Sequence, residues 1–163
     1  MTSLSGSGIT VDVPGGWEGK IYTRPAPPSP PPSPGNPRAT AVPSETTAAV
    51  LHVASFAMPP ETGDYGGGAV ELMKNTDLLV ILFEHGRSSA NTPLFSATGV
   101  PRLTADDVSP VQLQRIIDGQ GGVQRFFTAA GRAFCLYVVF GSYARRVRTI
   151  PVVNEILASI RIS

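Results

Sequence analysis

The sequence predicts a single α+β domain built on antiparallel strands, and three observations carry that prediction. Ile9, Val11 and Val13 alternate with Thr10 and Asp12, the period of a strand with one buried face. Residues 123–128 and 133–140 flank Ala129-Ala130-Gly131 and read as a hairpin. Helical signatures come as isolated blocks among such strands, without the regular strand–helix alternation of a doubly wound parallel sheet. The 163 residues suit one domain with a sizeable core.

Residues 1–8, MTSLSGSG, read as a flexible N-terminus, and 9–163 as the domain. The strand at 9–13 turns at Pro14-Gly15-Gly16, where proline presets the bend and glycine accepts positive φ. Trp17, Gly19 and Ile21 share a face of the returning strand, so Trp17 anchors the corner of this hairpin to the core. Residues 25–43 hold nine of the sixteen prolines. Proline donates no ladder hydrogen bond and favours extended polyproline II, which predicts an exposed spacer loop or a ligand for a proline-binding module. Strand pairing resumes in AAVLHVASFAM, 48–58, with Val50, His52, Ala54 and Phe56 on one side. Gly66-Gly67-Gly68 opens a short helix through Lys74. LLVILF, 78–83, is continuously apolar, the mark of a central strand. Residues 84–107 form a long aperiodic loop tacked to the core by Leu94, Phe95, Val100 and Leu103. SPVQLQRIIDG, 109–119, combines an N-cap serine, Pro110 at the first helical position and an S-x-x-Q capping box; it predicts a helix burying Leu113, Ile116 and Ile117. After the 123–140 hairpin, a helix at 150–159 buries Val153, Ile156, Leu157 and Ile160, and Arg161-Ile162 adds a short strand.

Charge is low and unevenly spread. Net charge is +1, which argues against a polyanion binder driven by bulk charge. Residues 1–100 carry 5 Lys and Arg against 8 Asp and Glu; residues 101–163 carry 8 Arg, no Lys and 4 Asp and Glu. Arginine without lysine favours fixed, planar contacts. Cys135, the single cysteine, lies in the most apolar run and reads as a buried thiol. No segment has the apolar length of a membrane span, and MTSLSGSG lacks the pattern of a signal peptide, so a cytoplasmic protein is expected.

Few residues carry chemistry. Consecutive amides at Gly66, Gly67 and Gly68 could cradle an anion, yet no G-K-[ST] follows. Glu84 and His85 sit just past the 78–83 strand, where site residues often project; with the glycines and the 84–103 loop they outline a candidate cleft for a small molecule or anion. His52, His85 and a carboxylate are the only basis for a metal-assisted hydrolase, and no spacing requires it. Asp106-Asp107 fits the start of a helix better than a paired-carboxylate site. No nucleophile motif occurs, so no catalytic residue, metal or cofactor is expected. The strongest anomaly is Arg145-Arg146-Val147-Arg148 after Tyr143, with Arg125 and Arg132 in the preceding hairpin. Gathered on one face, these would suit an acidic protein surface or a phosphate. A nucleic acid is disfavoured by the near-zero net charge and the few interleaved aromatics.

The opening I-x-V-x-V-P-x-G-W, Ile9 to Trp17, and the closing VVNEILASIRI, Val152 to Ile162, resemble the ends of PsbP-like domains, a family that includes LpqN-type lipoproteins. GDYGGGAVELM and GQGGVQRFFTAAGRAFCLYVVFGS resemble blocks of small actinobacterial proteins, from which no activity carries over. The PsbP-like resemblance implies an α/β/α sandwich, an antiparallel sheet with helices on both faces. It also implies a domain that acts by binding a protein partner, without a common catalytic residue. The chain departs from secreted members in lacking a lipobox cysteine and in its prolines after the second strand. The expectation is a non-enzymatic protein-binding or adaptor module. An open strand edge would also allow two copies to pair.

Overall fold

Hydrophobic alternation sorts the strands into two antiparallel sheets in the computed structural model, which describes residues 1–25 and 47–163. Among these residues lie β1 (Thr2–Gly6), β2 (Ile9–Val13), β3 (Glu18–Pro25), β4 (Thr47–Ala54), β5 (Leu78–Glu84), β6 (Gly121–Ala129), β7 (Arg132–Phe140), α1 (Arg146–Ser159) and β8 (Arg161–Ile162). One sheet has the order β1-β2-β8 and the other β3-β4-β5-β7-β6. The continuously apolar β5 takes the centre of the larger sheet, where both faces are covered. Apart from Pro25, the proline-rich loop expected at 25–43 falls outside the described residues.

Each face of the larger sheet has its own cover. Leu51, Val53, Val80, Leu82, Phe134, Leu136 and Val138 face Ile9, Val11 and Val13 of the small sheet and Val153, Ile156, Leu157 and Ile160 of the helical segment. The predicted stripe of the last helix is therefore the buried one. The helix starts four residues earlier than expected because Arg146 and Arg148, good helix formers, extend it. The opposite face, with Leu79, Ile81, Tyr137 and Val139, is covered by Phe56, Met58, Tyr65, Val70, Leu113 and Ile117, all from segments outside the strands and α1. The class is α+β, but the expectation of helices on both faces is corrected: α1 covers one face, and no α-helix covers the other among the described residues.

The predicted hairpin at 9–21 is also corrected. Its turn forms, with the Trp17 N–H bonding the Pro14 carbonyl at 3.1 Å and Gly16 at φ 81°, but it carries the chain from one sheet to the other. β2 pairs with β1 and β8, while β3 pairs with β4. β3 instead meets the small sheet face to face: a side chain at Gly19 would come within 2.9 Å of Val13 and 3.1 Å of Leu4. Trp17 does pack against the core at this corner. Residues 1–8, expected as a flexible lead-in, contain β1, whose inner edge β2 pairs along its whole length.

The helix expected at 109–119 is absent. Ser109 is drawn into an extended bridge with Gly122, exchanging 2.9 Å hydrogen bonds with it, and cannot serve as a helix cap. Gln112 bonds the Gln124 amide instead of closing a capping box. Leu113 and Ile117 still pack on the sheet, but Ile116 is 65% exposed. The helix expected from Gly66 to Lys74 shrinks to one 3-10 turn at Val70–Leu72.

Candidate functional site

At one end of the molecule the β3, β4 and β5 ends meet the start of β7 and the small sheet around an open cavity of about 510 Å³. Its floor is an ion pair. Arg132 Nε donates to Glu84 Oε2 at 2.7 Å and Nη2 to Oε1 at 2.9 Å. Glu84 Oε1 also accepts the Ala49 amide at 3.0 Å, and Arg132 Nη1 donates to the Ser163 carbonyl at 3.1 Å. Glu84 is 7% exposed and Arg132 8%. Two charges buried this deeply are tolerated because they are paired in bidentate geometry and further hydrogen-bonded. Gly8 makes room for the guanidinium: with φ 74°, it would place a Cβ 2.6 Å from Arg132 Nη1 if it were any other residue. His85 lies at the rim, its ring against Phe83, Phe95 and Phe126. Its Nε2 is buried with no hydrogen-bond partner, and burial, helped by the Arg24 charge, holds its pKa below the ordinary histidine value. Thr23, Thr47, Ser7, Ser163 and the exposed Arg87 complete the lining.

The six residues expected to form one arginine patch are split among three places. Arg132 is committed to Glu84. Arg125, on β6, pairs with Asp107 at 2.5 Å. Tyr143 packs against Gly121, at the far end of β6; four strand residues put Arg125 about 13 Å away along the strand. Only Tyr143, Arg145, Arg146 and Arg148 stay together, at the start of α1. The Arg146 guanidinium lies over the Tyr143 ring at 4.0 Å and Nη1 bonds the Tyr143 carbonyl at 3.1 Å. Arg145 and Arg148 are exposed, beside the exposed Val147 and Val152. No ion pair reaches Arg145, Arg146 or Arg148 among the described residues.

The glycines and the Glu84–His85 pair are not brought together. Gly66 is buried at φ 82°, its amide bonded to the Gly63 carbonyl, and a Cβ there would meet Leu79 at 2.6 Å. This is a tight packing turn. Gly67 borders a separate groove with Tyr65, Val70 and Tyr137, whereas Glu84 and His85 line the cavity above. His52 and His85 do not converge either. His52 pairs with Ile81, and continuing the β4–β5 register sets His85 opposite Ala48, four residues or about 13 Å from His52. Among the described residues, no three His, Cys, Asp or Glu side chains gather to hold a metal. His52 is fully buried, its Nε2 3.0 Å from the Asp64 carbonyl and its Nδ1 without a partner.

Asp64 anchors a second polar cluster that the sequence did not announce. It accepts Tyr22 Oη at 2.6 Å and a charge-assisted bond from Arg24. Burial opposes its ionisation, but the bonds from Tyr22 and Arg24 prevail and hold its pKa below the usual range. Asp107 behaves as helix-start chemistry predicts: it caps the 3-10 turn at Ala105–Asp107, accepting the Thr104 amide at 2.8 Å, and that bond lowers its pKa. Cys135 is buried, and burial pushes its thiol up to about 11, far from a thiolate nucleophile. The Glu84–Arg132 pairing was the signal missed. The two residues are 48 positions apart, and only the β5–β7 pairing brings them together.

No helix among the described residues is long and apolar enough to cross a membrane. No family model matches the chain, nor does any curated protein or solved structure.

Proposed function

We propose that the chain is a non-enzymatic binding module that docks an acidic partner protein on the solvent-facing side of the first two turns of α1. The observation that carries this reading is the set of exposed Arg145 and Arg148, without ion pairs among the described residues, interleaved with exposed Val147 and Val152. Arginine beside solvent-exposed aliphatic surface is the composition of a contact face. The positions are also electrostatically costly for the helix itself. Cations at a helix N-terminus oppose its dipole, so the charge of Arg145 and Arg148 is not placed there for the electrostatics of α1. The buried Cys135 suits a reducing compartment such as the cytosol, where we place this activity.

The helix dipole makes the test sharp. Replacing Arg145 and Arg148 together by Glu, with Arg146 kept for its contacts with Tyr143, puts anions where the dipole favours them, so the variant keeps or slightly raises its Tm. A partner enriched from native lysate on the wild-type protein, identified by mass spectrometry and rebound as purified protein, is lost by at least tenfold on the folded variant. Equal affinity of that purified partner for both proteins would remove the α1 face as the contact.

A further inference from the structure

We propose that the cavity floored by Glu84 and Arg132 is a binding site for a small-molecule oxyanion, a carboxylate or phosphate carried on a metabolite-sized body. It is independent of the α1 face. Arginine has five N–H donors, and the contacts of Arg132 use three of them, on Nε, Nη1 and Nη2. Two donors of a side chain that is 8% exposed therefore have no protein acceptor among the described residues, in the wall of an open cavity. Glu84 does not repel the ligand. Both its oxygens are already engaged, by Arg132 and the Ala49 amide, and its charge is balanced by the guanidinium. The remaining charged side chain on the lining is Arg87, which is exposed and has no ion pair among the described residues. Ser7, Thr23, Thr47 and Ser163 line the rest, a composition that suits a polar body over an apolar one. The lining thus offers unused donors and, in Arg87, a cationic side chain without an ion pair among the described residues. A volume of about 510 Å³ falls in the range of small-molecule sites.

The guanidinium is preorganised by Glu84, which holds it in one orientation before any ligand arrives, so little side-chain ordering remains to oppose binding. A tetrahedral phosphate or a planar carboxylate can both take the two free donors; Arg87 then closes on the anion from the surface.

The test titrates the full chain with glucose 6-phosphate, citrate and inorganic phosphate, at ionic strength held constant with chloride, by calorimetry and by amide chemical shifts. Saturable binding of at least one probe is expected, with shifts at the Gly8, Ala48 and Gly86 amides. Glucose 6-phosphate binding without citrate assigns the site to phosphate esters, and the reverse assigns it to carboxylates. Arg132 variants risk unfolding, so the discriminating variant is Arg87→Gln, at an exposed position. It folds and weakens the bound probe by about tenfold, the loss of one charged hydrogen bond. Absence of saturable binding by all three probes overturns the proposal. So does binding of equal strength in this variant, or shifts confined to residues 143–148, which would place the anion on the α1 arginines instead.

Discussion

His52 and His85 are held neutral by their surroundings, and that makes stability pH-dependent. His52 Nε2–H donates to the Asp64 carbonyl, leaving Nδ1 buried without an acceptor for a second proton. Burial lowers its pKa first, and Lys20 adds to the effect; for His85 burial leads and Arg24 adds. An unfolded histidine titrates near about 6.5. As pH falls below that value the unfolded chain takes up protons that the folded chain refuses, so folding free energy falls with pH in this window. The carboxylates with lowered pKa, Asp64 and Asp107, act in the same direction but only in more acidic solution. The urea midpoint is therefore expected to drop between pH 7.5 and 5.5, and to drop less in His85→Phe. A flat wild-type midpoint across that interval would mean that neither ring is held neutral.

Among the elements, α1 works as a clamp as well as a cover. Asn154 is buried on its inner side and exchanges two hydrogen bonds with Leu103, Nδ2 to the carbonyl at 2.8 Å and the amide to Oδ1 at 2.9 Å. This ties the long irregular segment before β6 to the core. Asn154→Ala leaves both backbone groups of a buried residue without partners and is expected to cost about 2–4 kcal/mol in urea unfolding, the sum of two unsatisfied groups. A loss under about 0.5 kcal/mol would show that water replaces the clamp. Strands β2, β5, β6 and β7 were legible because their signals are local: alternation in β2, a continuous apolar run in β5, a short turn between β6 and β7; β1, in the polar MTSLSGSG, carries no such signal and was read as a flexible end. The 109–119 segment was not, because its capping residues are claimed by β6. Ser109 bridges Gly122 and Gln112 bonds Gln124, contacts that no local pattern encodes. For the same reason Glu84 and His85 could be singled out as residues following a central strand, while Arg132, Gly8 and Ser163 around them depend on strand pairing across the whole chain. The arginine run at 145–148 was visible as composition; that Arg125 and Arg132 would leave it for Asp107 and Glu84 was not.

Across the whole molecule, the two sheets share one core. Ile9, Val11 and Val13 of the small sheet pack in the same cluster as β4, β5, β7 and the helix, and Trp17 lies at the turn between the sheets. The small sheet therefore has no separate core with which to persist alone. Trp17, the single tryptophan, reports on that junction, while far-UV circular dichroism reports on both sheets. The two signals are expected to follow one urea transition with the same midpoint. A separate, earlier fluorescence change would show that the small sheet detaches before the large one melts.

The two-residue β8 gives this shared architecture a timescale. It holds to β2 only through Ile9–Ile162 and Thr10–Arg161, with the Ser163 amide bonded to the Gly8 carbonyl beyond them at 2.9 Å. A strand so short opens far more often than the molecule unfolds, so the Ser163 amide should take up deuterium well ahead of those in β7. Each opening also removes the acceptor of Arg132 Nη1, freeing a third donor while the two bonds to Glu84 keep the guanidinium in place. The wall of the cavity thus breathes at the rate at which β8 peels. An occupant gripping Arg132 would slow that exchange from the inside, without touching β8 itself.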